Sequence, residues 1–313
     1  MSIERMVNYM NTGETLKFIR TKKNLTQKEI LPDYIDPSAY SRVESQKRPI
    51  RINDLQEILD RLSITPDEFF SLSSLDHEQQ QFRNLFYYCG NHIDNKTKKK
   101  KLLDYYFDLE NNKGKSLRQI SNYIAIKNFF HQHWDEVNTI STEEVKSLFN
   151  ELNQRKFYFQ YDYVLLSNLI TYFSVQQSDI LISKAYPIEL EEDRDYITKK
   201  FAYNTLLNLI SIRLHENDYT RALKYIKIAQ KQDKSASNYS FRMNLKYLEN
   251  LTNYLIKGET KYMKQVYNFI ENIEDIGDLT YAQSVKEEVK KLTYNNGRDS
   301  NNEYIIALIK DTY

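Results

Sequence analysis

The stretch LTQKEILPDYIDPSAYSRVESQKRPI, residues 25–50, decides the fold of the amino-terminal part of the chain. Asp36 and Pro37 place an N-cap residue directly before a proline, which is a common way for a helix to begin. The helix that follows has only small side chains in its first turn, and a basic pair, Lys47 and Arg48, lies just beyond its end. The stretch therefore predicts a short helix whose first turn can approach another molecule closely.

Apolar stripes on both sides of this stretch predict further helices. GETLKFIRTK precedes it and INDLQEILDRL follows it, and Thr65-Pro66 opens another helix with the same kind of start signal. Five short helices are expected within the first seventy residues, around one small core. The predicted core residues are Leu16, Ile19, Leu25, Ile30, Tyr40, Val43, Leu55, Ile58, Leu59 and Leu62.

Positive charge is concentrated in the same region. Residues 17–51 carry nine basic and four acidic side chains, a local charge of +5 in a chain whose formal net charge is +1. A localised positive face on a helix-turn-helix is typical of phosphate binding, although paired surface lysines and arginines are more often simply solvated. Double-stranded DNA is therefore the expected partner of this region.

Each outward-facing residue has an expected role on DNA. Ser38 and Ser41 can hydrogen-bond base edges, and the Ala39 methyl group can meet a thymine methyl group. Gln27 is expected to bond a phosphate, and Arg42 a phosphate or a guanine. The predicted DNA-binding residues are Gln27, Lys28, Pro37, Ser38, Ala39, Ser41, Arg42, Lys47 and Arg48.

The rest of the chain reads as helical. Only 6 glycines and 5 prolines occur in 313 residues, and apolar residues recur at helical spacing. Ten to twelve helices are expected here, including 198–215, 219–231, 238–256 and 261–273, and Lys156–Val164 is also interpreted as helical. Helix-pair starts recur every 35 to 42 residues, near the tetratricopeptide (TPR) period of about 34. We predict an all-α fold, with a helix-turn-helix domain at 1–70, a linker at 71–76 and a TPR-like helical repeat domain at 77–313.

Several classes of protein are excluded by what the sequence lacks. The single cysteine excludes an internal disulfide framework. No glycine-rich phosphate loop is present, and His131 and His133 have no nearby third metal ligand. The longest uncharged run, Tyr163–Ser178, is too short and polar to span a bilayer, and the amino terminus has no apolar signal segment. We expect a cytoplasmic protein that is not an enzyme and that uses no cofactor or metal.

The first seventy residues resemble the Cro/C1-type (Xre-like) helix-turn-helix family. LKFIRTKKNLTQKEI, DPSAYSRVESQKRPI and LQEILDRLSITPDEFF carry the resemblance, and Ser41–Glu44 matches the usual Ser-Lys-Ile-Glu of that family. The resemblance implies DNA-facing roles for Ser41 and Arg42 and a core role for Val43. The chain departs from the family at Gln46, where a glycine usually ends the helix, and in the LPDYI turn.

The whole chain resembles the Rgg/MutR regulators of low-GC Gram-positive bacteria. Residues 148–173, LFNELNQRKFYFQYDYVLLSNLITYF, are similar to the central helices of that family. The resemblance implies a homodimer that binds promoter DNA and whose helical domain binds a short hydrophobic signalling peptide, as in quorum sensing. Two alternatives stay open from the sequence: a helical-repeat scaffold that captures a protein, and a phage-type repressor whose tail only oligomerises.

A polar stripe in the helical region is the candidate peptide site. Asn204, Asn208, Ser211 and His215 follow helical spacing opposite apolar residues, and an asparagine amide can both donate to and accept from a peptide backbone. An ordinary solvated face is the alternative interpretation. The predicted peptide-binding residues are Tyr161, Asn168, Tyr172, Asn204, Asn208, Ser211, Tyr247 and Asn250.

Overall fold

A computed structural model describes residues 10–73 and 76–294, and within these ranges every regular element is a helix. A single isolated bridge joins Met10 and Ser73. The prediction of an all-α fold is confirmed. The chain divides into two compact units between Leu85 and Phe86.

The first unit contains the five helices that the sequence predicts. They are α1 (Thr12–Lys22), α2 (Gln27–Ile30), α3 (Pro37–Glu44), α4 (Ile52–Leu62) and α5 (Pro66–Leu72). The expected caps are present: Asp36 accepts a hydrogen bond from the Ala39 amide, and Thr65 accepts one from the Glu68 amide. The local capping signals therefore fix where α3 and α5 begin.

All ten predicted core residues of this unit pack together. Nine of them are buried, and Leu25 packs partly buried against them. Gly13 allows α1 to lie directly on the end of α3, since a Cβ atom at Gly13 would fall 2.1 Å from the Val43 carbonyl oxygen. A larger residue at position 13 would push the two helices apart.

The turn after α3 keeps the helix-stop geometry without the glycine usual in the Cro/C1-type family. Gln46 adopts a left-handed backbone conformation, with φ of 63°. The Lys47 amide then donates to the Arg42 carbonyl and the Gln46 amide to the Val43 carbonyl, which closes the end of the helix. A non-glycine residue carries a steric cost in this conformation.

The remaining helices run from residue 77 to residue 294. They are α6 (His77–Asn91), α7 (Lys96–Asn111), α8 (Leu117–Phe130), α9 (Thr142–Gln154), α10 (Gln160–Leu169), α11 (Val175–Ala185), α12 (Tyr196–His215), α13 (Tyr219–Ala229), α14 (Tyr239–Lys257), α15 (Thr260–Asp275) and α16 (Leu279–Tyr294). These eleven helices of the described part fall within the expected number. The four helices predicted between residues 198 and 273 begin and end within two residues of the predicted positions. The division between the two units lies inside α6, so the linker predicted at 71–76 stays a prediction, and residues 74–75 are outside the described ranges.

Helix α12 is the centre of the second unit. It packs against α10, α13 and α14, and α14 packs in turn on α15 and α15 on α16. Its apolar residues, such as Leu206, Leu209 and Ile210, are fully buried, and so are several of its polar residues. The helix is therefore enclosed on most sides: Asn208 and Ser211 of its polar stripe are buried, and Asn204 and His215 are half-buried.

The helical interpretation of Lys156–Val164 is wrong for its first half. Helix α9 ends at Gln154 and α10 begins only at Gln160. Tyr158 is buried and donates a hydrogen bond to the Leu152 carbonyl, while Asp162 accepts one from the Phe159 amide to start α10. The guanidinium of Arg194 lies 4.0 Å from the centre of the Phe157 ring. Of these contacts only the one from Arg194 comes from far along the chain, and helical periodicity could not indicate it.

Candidate functional site

Helix α3 presents a small, polar face to solvent. Pro37, Ser38, Ser41 and Arg42 are exposed on one side, while Tyr40 on the other side is buried in the core. Ala39 is half-buried. The first turn of α3 carries no bulky side chain on its exposed side, so this side can approach the base edges of a duplex.

Four exposed basic side chains lie around this face. Lys28, Arg42, Lys47 and Arg48 are all exposed. Among the described residues, none makes a hydrogen bond or ion pair with these four side chains. Arg42 does interact electrostatically with the nearby Asp36 carboxylate, but all four cations are exposed to solvent, where phosphates can reach them.

A buried carboxylate fixes the base of α3. Glu44 accepts hydrogen bonds from Arg20 Nε at 2.6 Å, Arg20 Nη2 at 2.9 Å and Gln27 Nε2 at 2.8 Å. Burial alone would raise the pKa of Glu44, but the hydrogen bonds from Arg20 and Gln27 outweigh it and lower the pKa below its ordinary value. The charged form of Glu44 is thus the stable form in the folded unit.

The side chain of Gln27 does not point outward as the sequence suggested. Its amide is half-buried and donates to Glu44, because a buried carboxylate needs donors and Gln27 begins the helix next to it. Its predicted contact with a phosphate stays a prediction. The other eight DNA-binding candidates all have at least part of the side chain in solvent.

The second unit contains a cavity of about 260 Å³ between α12, α14 and the start of α16. Two of the predicted peptide-binding residues, Asn204 and Asn208, lie in its wall. The lining residues from α12 are Tyr196, Lys200, Tyr203, Asn204, Leu207 and Asn208. Those from the other two elements are Asn238, Ser240, Phe241, Asn244, Asp278 and Tyr281.

Asn208 has an unusual environment in this wall. Its side chain is 1% exposed, and the amide nitrogen Nδ2 has no hydrogen-bond partner. Buried polar groups in proteins are normally hydrogen-bonded, since leaving one unpaired costs about 1–3 kcal/mol. Asn204 lies one turn earlier on the same helix, and no hydrogen bond within residues 10–73 and 76–294 engages its side chain.

The remaining wall of the cavity is held by contacts within the protein. The rings of Tyr203 and Phe241 stack at 4.2 Å and 15° between planes. The Tyr281 hydroxyl donates to Asn244 Oδ1, and Asn244 Nδ2 donates to the Ser240 carbonyl at 2.9 Å. The Asn244 amide is therefore already satisfied at both ends, unlike that of Asn208.

The far half of the predicted stripe is sealed beneath α16. The Glu288 carboxylate accepts hydrogen bonds from Ser211 and, at 2.7 Å, from the Tyr247 hydroxyl, and it lies 3.6 Å from His215 Nε2. Burial would raise the pKa of Glu288, but these three neighbours outweigh it and lower the pKa below its ordinary value. Ser211 and Tyr247 therefore hydrogen-bond a buried carboxylate in this unit, and their predicted contacts with a peptide stay predictions.

The other predicted peptide-binding residues do not line the cavity. Asn168 is buried between helices, where it accepts a hydrogen bond from Asn128 at 3.4 Å and donates to the Val164 carbonyl at 2.8 Å. Burial raises the pKa of Tyr172 to about 12. Tyr161 is half-buried and Asn250 is buried. Their roles in peptide binding stay predictions.

Sequence reasoning missed most of the cavity. Lys200 continues the stripe of Asn204 and Asn208 one turn toward the amino terminus, so helical spacing alone could have found it. Asn238, Asn244 and Tyr281 come from other helices. No local signal marks them, because their position depends on how α14 and α16 pack on α12.

No group of His, Cys, Asp and Glu side chains within the described ranges could hold a metal ion. None of the helices that the structure describes is long and apolar enough to cross a membrane.

Comparison with known proteins gives structural likenesses only. No protein-family model and no curated protein sequence matches the chain. Among solved structures, PrgX in complex with cCF10 matches with a TM-score of 0.72 and 22% identity, over 93% of this chain and 94% of PrgX. A bacterial peptide pheromone receptor in complex with its pheromone matches with a TM-score of 0.74 and 21% identity, over 91% of this chain and 99% of the receptor. The SHP pheromone receptor Rgg2 of Streptococcus dysgalactiae matches with a TM-score of 0.70 and 20% identity, over 90% of this chain and 99% of Rgg2.

These likenesses extend over nearly the full length of each protein. The chain therefore has the fold of PrgX and Rgg2, which the sequence resemblance to Rgg/MutR regulators had led us to expect.

Proposed function

We propose that this protein is a sequence-specific DNA-binding transcriptional regulator whose helical domain binds a short hydrophobic signalling peptide. The observation that carries the DNA-binding half is the exposed face of α3. Ser38, Ser41 and Arg42 are exposed there, and Lys28, Lys47 and Arg48 are exposed cations of the same unit. Base-edge contacts from such a helix give specificity, and cations beside it hold the phosphates.

The peptide-binding half rests on the fold together with the cavity. The similar structures are described as peptide pheromone receptors, and this chain has a cavity with an unpaired buried amide in the corresponding helical unit. A peptide backbone offers carbonyl and amide groups that such an amide can bind. Ligand and promoter binding in one chain would couple the peptide signal to transcription.

The protein is expected to act as a cytoplasmic homodimer. Two-fold symmetric regulators place two recognition helices on half-sites about one helical turn of DNA apart. A dimer brings twice as many exposed basic side chains to the DNA as a single protomer, which strengthens phosphate binding.

The test of this function is a thermal unfolding experiment on the full chain with synthetic short hydrophobic peptides encoded beside its own gene. A peptide at 100 times its dissociation constant adds about 2.7 kcal/mol of stability, which corresponds to a rise in Tm of roughly 5 °C or more for a unit of this size. The same peptide should also change the affinity for a DNA duplex selected by the protein from a random pool.

The outcome separates the alternatives. A protein that binds DNA but whose Tm and DNA affinity respond to none of the peptides would be a repressor with an oligomerisation tail. A protein with no preference among DNA sequences would be a protein-binding scaffold, and the proposed function would be wrong.

A further inference from the structure

A groove of about 840 Å³ lies on the second unit between the end of α13 and the first half of α14. We call it the basic groove, because four exposed cations line it: Lys231, Lys234, Arg242 and Lys246. Its two acidic lining residues are Asp233 and Glu249. Since most of the lining is polar or charged, the charge of the groove decides what can bind there.

Both carboxylates of the basic groove are already engaged within the chain. Asp233 accepts hydrogen bonds from two backbone amides of its own loop, each at 3.1 Å. Glu249 accepts one from Lys246 Nζ at 2.9 Å. The side chains of Lys231 and Lys234 make no hydrogen bond or ion pair with any residue that the structure describes. The groove therefore presents cations for which it contains no free acid.

An acidic loop, residues 189–193, lies directly beside the basic groove. Glu191 Oε1 accepts a hydrogen bond from the backbone amide of Asp233 at 2.7 Å, which joins the loop to the groove. The loop carries four acidic residues and no basic one. Glu192 and Asp193 are exposed, and their carboxylates have no partner within residues 10–73 and 76–294. Unpaired acids and unpaired cations thus lie side by side on one surface.

These two patches are complementary to each other between two copies of the chain. Within one chain, no ion pair among the described residues joins the acidic loop to the basic groove. A two-fold axis between the patches would bring the loop of each copy to the groove of the other. Opposite charges that face each other across an interface attract the partners and fix their register. The surface is therefore self-complementary in charge.

An exposed apolar side chain belongs to the same acidic loop. Leu190 is 66% exposed and has a left-handed φ of 53°, a conformation that is unfavourable for a residue with a Cβ atom. A second copy seated on the loop would remove this side chain from water, which is favourable. Leu190 therefore adds an apolar contact to a surface whose selectivity comes from charge.

We propose that two copies of this chain associate through these patches, with the acidic loop of each copy against the basic groove of the other. The contact assigns a surface to the homodimer that the proposed function expects, and it rests on that part of the proposed function alone. Neither peptide nor DNA enters its test.

Charge reversal on each side tests the contact in the full chain. The loop variant carries Glu192→Lys and Asp193→Lys, and the groove variant carries Lys231→Glu and Lys234→Glu. All four side chains are exposed, so the Tm should stay unchanged. Each variant places like charges opposite each other, so sedimentation equilibrium should show self-association weakened about tenfold or more. Wild-type association in either variant would overturn the proposal.

A mixture of the two variants gives the sharper result. In a mixed pair, the reversed loop meets the reversed groove and the unchanged loop meets the unchanged groove. Both contacts join opposite charges, so the mixture should associate about as tightly as the wild type, although neither variant does so alone. A mixture that stays monomeric would contradict the two-fold contact.

A third variant controls for the overall change in charge. Lys96→Glu with Lys100→Glu reverses two exposed lysines of α7 and changes the net charge as much as the groove variant does. This control should self-associate like the wild type, and it should not restore the loop variant to the wild-type level. Full restoration by the control would mean that net charge alone drives association, and the proposal would be wrong.

The result also separates this contact from the rest of the proposed function. A wild type that is monomeric at every concentration rules out both the homodimer and this contact. A wild-type dimer that neither the loop variant nor the groove variant weakens keeps the homodimer and rules out this surface. The tests of peptide and DNA binding are independent of both outcomes.

Discussion

Arg20 on α1 donates two hydrogen bonds to Glu44 at the end of α3, from Nε at 2.6 Å and from Nη2 at 2.9 Å. Gln27 on α2 donates a third at 2.8 Å, so one buried carboxylate joins three helices of the first unit. Because α3 carries the exposed face that we assign to DNA, this network sets the orientation of that face relative to α1 and α2.

Glu44→Gln should destabilise α3 by about 2 kcal/mol at pH 7, because hydrogen bonds to a charged group are worth about 1.5–3 kcal/mol. The pKa of Glu44 is lowered in the folded state, so its stabilisation is complete above the ordinary value of 4.5 and is lost as the pH falls through the lower, folded value. The difference in stability between the wild type and Glu44→Gln should therefore become smaller below pH 4.5. Native-state hydrogen exchange of the α3 amides measures this difference in stability. Asp33→Asn, which removes an exposed carboxylate, is the control and should change the stability of α3 little. A stability difference between the wild type and Glu44→Gln that does not depend on pH would contradict this role of the Glu44 charge.

Gln46→Gly should stabilise the first unit by about 0.5–1 kcal/mol. Gln46 has a φ of 63°, which costs a non-glycine residue roughly 1–2 kcal/mol, and the greater entropy of an unfolded glycine cancels part of the gain. Ser45→Gly is the matched control, since Ser45 has an ordinary φ of −90° and should lose stability. Urea unfolding of both variants measures the difference, and a loss of stability in Gln46→Gly would mean that the Gln46 side chain makes a contribution of its own.

Tyr247→Phe should cost about 1.5–3 kcal/mol, because it removes a hydrogen bond to the buried Glu288 carboxylate. Tyr267→Phe is the control, since Tyr267 is 53% exposed and its hydroxyl makes no hydrogen bond within the described ranges. Thermal unfolding measures both. If Tyr247→Phe leaves the Tm unchanged and weakens peptide binding instead, the sequence-based assignment of Tyr247 to the peptide site is the better one.

The sequence predicted those parts of the fold that depend on local signals. Asp36 and Pro37 placed the start of α3 correctly because an N-cap hydrogen bond and a fixed proline φ act within one turn. Leu16, Ile58 and the other core residues followed from helical spacing. The same reasoning failed at residues 156–159, which are not helical: the Tyr158 hydroxyl donates to the Leu152 carbonyl, and the Arg194 guanidinium lies over the Phe157 ring.

The candidate site was only partly predictable for the same reason. Asn204 and Asn208 were identified because they share one face of a helix. Ser211 lies on that face too, but Glu288, 77 residues later in the chain, seals it. Whether a polar stripe is solvated, lines a cavity or is satisfied by a buried charge depends on helices that pack from elsewhere. That information is not contained in the stripe.

The number of exposed cations predicts how steeply DNA binding depends on salt concentration. If Lys28, Arg42, Lys47 and Arg48 of both protomers contact phosphates, a plot of the logarithm of the DNA association constant against the logarithm of the salt concentration should have a slope of about −7. Lys47→Ala should reduce the magnitude of that slope by about 2 in a dimer and weaken binding to all sequences alike. A slope near zero for the wild type would exclude phosphate binding by this face.

The most direct test of the proposed DNA-binding face is the affinity of Arg42→Ala for a DNA duplex selected by the wild-type protein from a random pool, measured by fluorescence anisotropy. Arg61→Ala, which removes an exposed arginine of α4 outside the predicted set, is the charge-matched control. We predict at least a tenfold loss of affinity in Arg42→Ala, an unchanged Tm, and near-wild-type binding in Arg61→Ala. Wild-type affinity in Arg42→Ala would contradict the placement of α3 against DNA.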